Sequence, residues 1–199
     1  MLRLKTDIEI ESNVSLLMRH GGKIVPGSRR EGHNVFTVTG RNLLSKLISW
    51  QTISGIDIPH TNRRVRWIGM GSGSQLEVST VSALGVPLLA TPTNYLAPIQ
   101  GVEFPTSTSV RFINEFSLND ITVTGAPISV SEAGLFADVN PAQAGNANDG
   151  AEDLPHDVGV VDTVLNPGVS INPPVAYKSF EGLTKTVDFT LEVRWDFRF

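Results

Sequence analysis

A chain of 199 residues fits one large β domain, or one domain with a substantial extension. Its 40% hydrophobic content is enough for a true core, and 18 glycines with 12 prolines suit many turns. A formal net charge of −4 argues against a general nucleic-acid binder, and the lack of cysteine excludes disulfides, thiolate catalysis and zinc–thiolate sites.

The amino-terminal residues, Met1-Leu2-Arg3-Leu4-Lys5-Thr6, open no long apolar run, so no signal peptide is expected. No uncharged apolar stretch approaches the roughly 18 residues of a membrane span. Residues 1–38 read as an extended arm. Ile8–Glu11 and Asn34–Val38 are strand-like, and a polar, glycine-containing stretch from Arg19 to Gly32 lies between them. The arm either docks on a neighbouring subunit or forms a hairpin on its own domain.

Residues 39–199 are expected to form the β domain. The best helix spans 39–51, with Thr39 as its cap and Leu43, Leu44, Leu47, Ile48 and Trp50 mostly on one face. Arg63 to Ile68 reads as a strand and runs into Gly69-Met70-Gly71-Ser72-Gly73. Residues 76–90 fit a short helix or a strand equally well. Ser109 to Leu118 alternates, with Val110, Phe112, Phe116 and Leu118 on one face and Asn114 out of pattern. Short strands follow at 121–124, 128–130 and 132–137. Residues 138–168 are expected to be a long exposed loop, because 140–153 lack any large apolar side chain. Another strand covers 175–180, with its turn near Gly182 and Lys185.

The last thirteen residues give the clearest signal. Val187, Phe189, Leu191, Val193, Trp195, Phe197 and Phe199 alternate with polar residues throughout. Successive side chains on a strand point to opposite faces, so one face here is apolar and the other wet. Such a strand belongs to an antiparallel sheet with one solvated face. The expected fold is therefore mainly β, an antiparallel sandwich or jelly-roll-like domain with one short helix and an extended amino-terminal arm.

Chemical motifs are weak. The glycine run at 69–73 lacks the third glycine of a dinucleotide fingerprint, the Gly-Lys-Ser/Thr of a P-loop and the order of a hydrolase elbow. A tight turn or a close backbone approach explains it better. His20, His33, His60 and His156 show no metal-ligand spacing, and Asp149, Glu152, Asp153 and Asp157 lack the spacing of a calcium loop. No cofactor and no small-molecule substrate is expected. The basic residues Arg29, Arg30, Arg63, Arg64 and Arg66 are candidates for contact with the acidic loop, a neighbouring subunit or packaged nucleic acid, or are simply solvated. Glu132 is expected to pair with an arginine such as Arg64 or Arg66 across the sheet, and Lys185 to point outward to a neighbour.

Three phrases occur in a suggestive order. They are Trp67-Ile68-Gly69-Met70-Gly71-Ser72-Gly73, then Val130-Ser131-Glu132-Ala133-Gly134-Leu135-Phe136, then Phe180-Glu181-Gly182-Leu183-Thr184-Lys185-Thr186 running into Leu191-Glu192-Val193-Arg194-Trp195. Together they resemble a loose group of tailed-bacteriophage virion structural proteins, described as tail, tail-fibre or neck components. The resemblance covers roughly residues 39–137 and 175–199. It implies assembly rather than chemistry and leaves the place in the particle open; the preferred reading is a non-enzymatic virion protein forming a symmetric oligomer, with the neck, collar or tail as the first choice of position. Its partners would be copies of itself and other virion proteins, and its place the virion after synthesis in the host cytoplasm. A capsid decoration or cement protein is one alternative. A carbohydrate-binding tip module is another, favoured if Trp50 or Trp67 were exposed for sugar stacking.

Overall fold

A computed structural model describes residues 10–41, 52–53, 56–57, 65–89, 96–122, 125–137 and 174–199. Two antiparallel sheets face each other as a sandwich. The first contains β1 (Glu11–His20), β2 (Lys23–Ile24), β3 (Arg30–His33), β9 (Gly101–Thr106), β10 (Ser109–Phe116) and β13 (Thr190–Arg198). Its order is β2-β1-β13-β10-β9, and β3 also pairs with β1. The second runs β4-β12-β11-β7-β8, from β4 (Val35–Phe36), β12 (Ala176–Lys185), β11 (Ile128–Ala137), β7 (Val65–Gly71) and β8 (Leu96–Pro98). A two-stranded ribbon joins β5 (Thr52–Ile53) to β6 (Ile56–Asp57).

The carboxyl-terminal alternation holds from Phe189 to Phe197, whereas Val187 lies in the preceding turn and Phe199 is exposed beyond the end of β13. Leu191, Val193, Trp195 and Phe197 are buried on one face of β13, and Phe189 packs against them. The strand closes the fold from the middle of its sheet, between β1 and β10. Its inward face meets Ile68 and Met70 of β7, Val130 and Leu135 of β11, and Ala176 and Leu183 of β12 in one cluster. Each fully buried aliphatic side chain of this kind contributes roughly 1.5–3 kcal/mol.

The amino-terminal segment departs from the expected projecting arm. Glu11 to Arg19 pairs residue by residue with Arg198 to Thr190, and Val14, Leu16 and Met18 lie in the core. Ser12 Oγ also accepts a hydrogen bond from Trp195 Nε1 at 3.3 Å. The region is thus a hairpin-like part of the domain, the second of the two readings given for it. Residues 1–9 lie outside the described residues.

Other boundaries shift as well. A helical turn begins at Val38, and its cap is Thr37 rather than Thr39: Thr37 Oγ1 accepts from the Gly40 N–H at 3.1 Å. The remainder of the expected 39–51 helix lies outside the described residues, as do Arg63, Arg64 and the 138–168 loop. The strands expected at 128–130 and 132–137 are one strand, β11. Residues 121–122 are not a strand, and Leu118 is exposed beyond the end of β10. Gly182 and Lys185 lie within β12, and the turn falls after them, at Thr186–Asp188.

Candidate interaction site

The second sheet is buried on one face and partly covered on the other, with Ser129, Gly182 and Thr184 left exposed. One face meets the sandwich core; the other lies beneath an irregular segment, residues 72–89. Val81 and Leu84 of that segment form a second cluster with Leu96, Phe136 and Tyr177. A register irregularity between Val130 and Glu132 accompanies the change of face. Glu132, Gly134 and Phe136 then look outward, toward the segment.

Glu132 organises the contact. Its side chain is wholly buried, and its carboxyl oxygens accept four hydrogen bonds. Oε1 receives the N–H groups of Gly73 at 3.0 Å and Val86 at 2.9 Å. Oε2 receives the Gly85 N–H at 3.0 Å and the Tyr177 hydroxyl at 2.8 Å. A carboxylate is an acceptor with room for about four such bonds, so the site uses its full capacity. Burial, followed by the bond to Glu132, pushes the Tyr177 phenol well above its ordinary value and keeps it a donor. The glycine run acquires its reason here. A Cβ at Gly71 would sit 2.2 Å from Glu132 Oε1, and one at Gly73 2.5 Å from the same atom. These glycines permit close approach, the second of the two readings given above, and neither requires a positive φ.

The expected arginine partner of Glu132 is therefore replaced by backbone and a phenol. The register places Glu132 opposite Gly71, five residues along β7 from Arg66, a distance of about 17 Å at roughly 3.4 Å per residue. Arg66 instead lies over the Trp67 ring at 5.3 Å.

Glu77 pins the same segment at a second point. Its carboxylate accepts from Lys178 Nζ at 2.8 and 3.1 Å, and from the Ser179 N–H and Oγ at 3.1 and 2.9 Å. Burial works to raise the Glu77 pKa, but the bonds from Lys178 and Ser179 outweigh it and hold the group below its usual value. Ser131 Oγ donates to the Gly73 carbonyl at 2.6 Å, and the Val38 N–H donates to Ser79 O at 2.8 Å. The segment nevertheless turns apolar side chains to solvent: Leu76 is 81% exposed, Val78 46% and Val86 53%.

The sequence-predicted interaction residues do not converge. Arg29 is exposed and pairs with Glu31 at 2.8 Å. Arg30 binds the Gly27 carbonyl at 2.8 Å and the Glu181 carbonyl at 3.3 Å. Arg63 and Arg64 lie outside the described residues. Lys185 is the clearest correction: it is fully buried, with Nζ donating to the carbonyls of Leu118 at 3.0 Å and Thr186 at 3.2 Å. It ties the turn after β10 to the turn after β12.

Burial lowers the Lys185 pKa from 10.5 to about 8, with the Asp120 charge opposing. Between those values the unfolded chain binds the proton more tightly, so stability should rise with pH. Above pH 10 Tyr177 acts in the opposite sense, since its phenol ionises more readily in the unfolded chain. Urea unfolding from pH 8 to 9.5 should thus show the wild type gaining about 1–2 kcal/mol relative to Lys185→Met. Parallel stability curves for the two proteins would contradict this assignment.

The solvated face of the first sheet is a ladder of charges. Arg19 and Arg194 both pair with Glu192, at 3.0 and 2.6 Å, and Arg111 pairs with Asp196 at 2.6 Å and Glu103 at 3.7 Å. The partly exposed pairs of Arg111 contribute little stability, about 0–1 kcal/mol each, and act to fix side-chain positions, whereas Glu192 is buried beneath Arg19 and Arg194. Between the ladder and β3 the short side chains of Asn13 and Ser15 leave a trough of about 370 Å³. Arg111, Arg194 and Asp196 stand on one side of it, Arg29 and Glu31 on the other.

Among the described residues no group of three His, Asp or Glu side chains is placed to hold a metal. Trp67 is half-buried in the second cluster, which weakens the sugar-stacking reading, and Trp50 lies outside the described residues. Comparison of the chain with protein-family models, with curated proteins and with solved structures finds no match in any of the three.

Proposed function

We propose that this chain is a non-enzymatic structural protein of a tailed-bacteriophage virion, assembling as a symmetric oligomer at the neck, collar or tail. Two things support the reading. The phrases that resemble virion proteins are the ones that build β7, β11 and β12–β13, the parts holding segment 72–89 and the core. The observation that carries it is the exposure of Leu76, Val78 and Val86 on a segment fixed by two carboxylates. Ordering is already complete there, so docking a neighbouring subunit costs little conformational entropy. Partners on this reading are further copies of the chain and other virion proteins, with total contacts above about 1,000 Å².

Light scattering on the purified chain tests it. The wild type should have the mass of a closed oligomer. Leu76→Asp should unfold within about 0.5 kcal/mol of the wild type, as an exposed substitution does, yet run as a monomer. A wild type that stays monomeric at the highest soluble concentration would overturn the proposal.

A further inference from the structure

The trough on the first sheet is a built polar site that plays no part in the assembly reading. Its volume of about 370 Å³ falls in the range of small-molecule sites, about 300–1,000 Å³. Its floor is set by register: Asn13 faces Asp196 across β1–β13, and Ser15 faces Arg194. Short side chains thus sit directly beside long charged ones. No aromatic ring lines it, so it offers nothing on which a base or an apolar ligand could stack.

The free valences of the trough define what it would take. Arg111 is held by Asp196 and Glu103, and Arg29 by Glu31. Arg194 Nε lies 2.6 Å from Glu192 Oε1 as an ion pair without hydrogen-bond geometry, and its two terminal nitrogens hydrogen-bond to none of the described residues. The Asn13 amide and Ser15 hydroxyl likewise have none. The site therefore presents one unsatisfied guanidinium fork beside neutral donors and acceptors. The fork matches a carboxylate or phosphate, since guanidinium binds such anions through two parallel bonds. The amide, the hydroxyl and the outer lone pairs of Asp196 and Glu31 match hydroxyl groups. A zwitterion fits less well, because both lining acids already answer an arginine. A polynucleotide fits less well again: Glu31, Asp196 and Glu103 would repel a continuous phosphate chain on a protein of net charge −4.

We infer that this trough binds an acidic saccharide unit, its anionic group on Arg194 and its hydroxyls on Asn13, Ser15 and Asp196. The inference is independent of the oligomer. Leu76 lies on the segment that covers the other sheet, so Leu76→Asp should leave saccharide binding intact.

Saturation-transfer NMR on the full chain tests it at any assembly size, with glucuronate, glucose 6-phosphate, glucose and inorganic phosphate as probes. Ring-proton signals are expected from at least one acidic sugar, and which acid gives them identifies the anion as carboxylate or phosphate. Glucose should bind more weakly by about tenfold or more, as loss of a charge-assisted pair requires. Arg194→Gln should abolish the signal and Asn13→Ala should reduce it. Asn13→Ala carries the test should Arg194→Gln fail to fold. Silence from both acidic sugars, signals unchanged in the variants, or displacement by inorganic phosphate at equal concentration would overturn the inference, the last by reducing the trough to a bare anion site.

Discussion

Removal of residues 1–33 should leave a chain with no cooperative unfolding transition. The deletion takes away β1, the neighbour of β13 along a nine-residue register from Glu11–Arg198 to Arg19–Thr190. It also removes Val14, Leu16 and Met18 from the core. Their burial alone is worth about 5–9 kcal/mol. That matches the whole net stability of a typical domain, about 5–15 kcal/mol. The inner face of β13, with Trp195 and Val193, would lose its cover on one side, and the Trp195 indole would lose its acceptor Ser12. Thermal melting followed by tryptophan fluorescence checks the outcome. A sharp transition in the truncated chain, near that of the full protein, would show that β1 is dispensable and that the segment serves as an arm after all.

Glu132→Ala should be the most damaging single truncation on the second sheet. It strands the N–H groups of Gly73, Gly85 and Val86 and the Tyr177 hydroxyl in a buried site. An unsatisfied buried donor costs about 1–3 kcal/mol, so a total loss of about 4 kcal/mol or more is expected even with partial relaxation. Glu132→Gln should cost about half as much, because one oxygen remains while an NH₂ group confronts donors. The m-value should change too, since segment 72–89 would detach and expose Val81 and Leu84 before global unfolding. A Glu132→Ala protein within about 1 kcal/mol of the wild type would contradict the role given to this side chain.

The β class, the terminal strand and its buried face were legible in the sequence because an unbroken alternation over thirteen residues has one simple solution. The amino-terminal strand was not, for a physical reason. Val14, Leu16 and Met18 do alternate, but Leu17 stands in the outward row and the buried Ser12 in the inward one, so the contrast is blurred. Asn114 interrupts β10 in the same way, as a buried amide in the inward row with no partner among the described residues. Glu132 could be singled out as a charge within an apolar phrase. Its partners could not be foreseen, because three of the four are backbone N–H groups, which leave no trace in residue type. The spacing of Gly71 and Gly73 was the available signal, since a missing Cβ marks where another group must come close. Lys185 was misplaced outward because Gly182 reads as a turn. The strand instead runs through it and carries the lysine inside. The trough was invisible for a related reason: Asn13, Glu31, Arg111 and Arg194 come from four separate strands.

Glu132 holds segment 72–89 as a rigid, apolar-faced surface. Hydrogen exchange at the Gly73, Gly85 and Val86 amides reads it most directly. In the wild type these three should exchange as slowly as the amides of β11, and in Glu132→Ala they should exchange at the rate of an open loop while β13 stays protected. Fast exchange at all three in the wild type would mean that the segment is not held, and the account of this surface as a preformed docking face would fail.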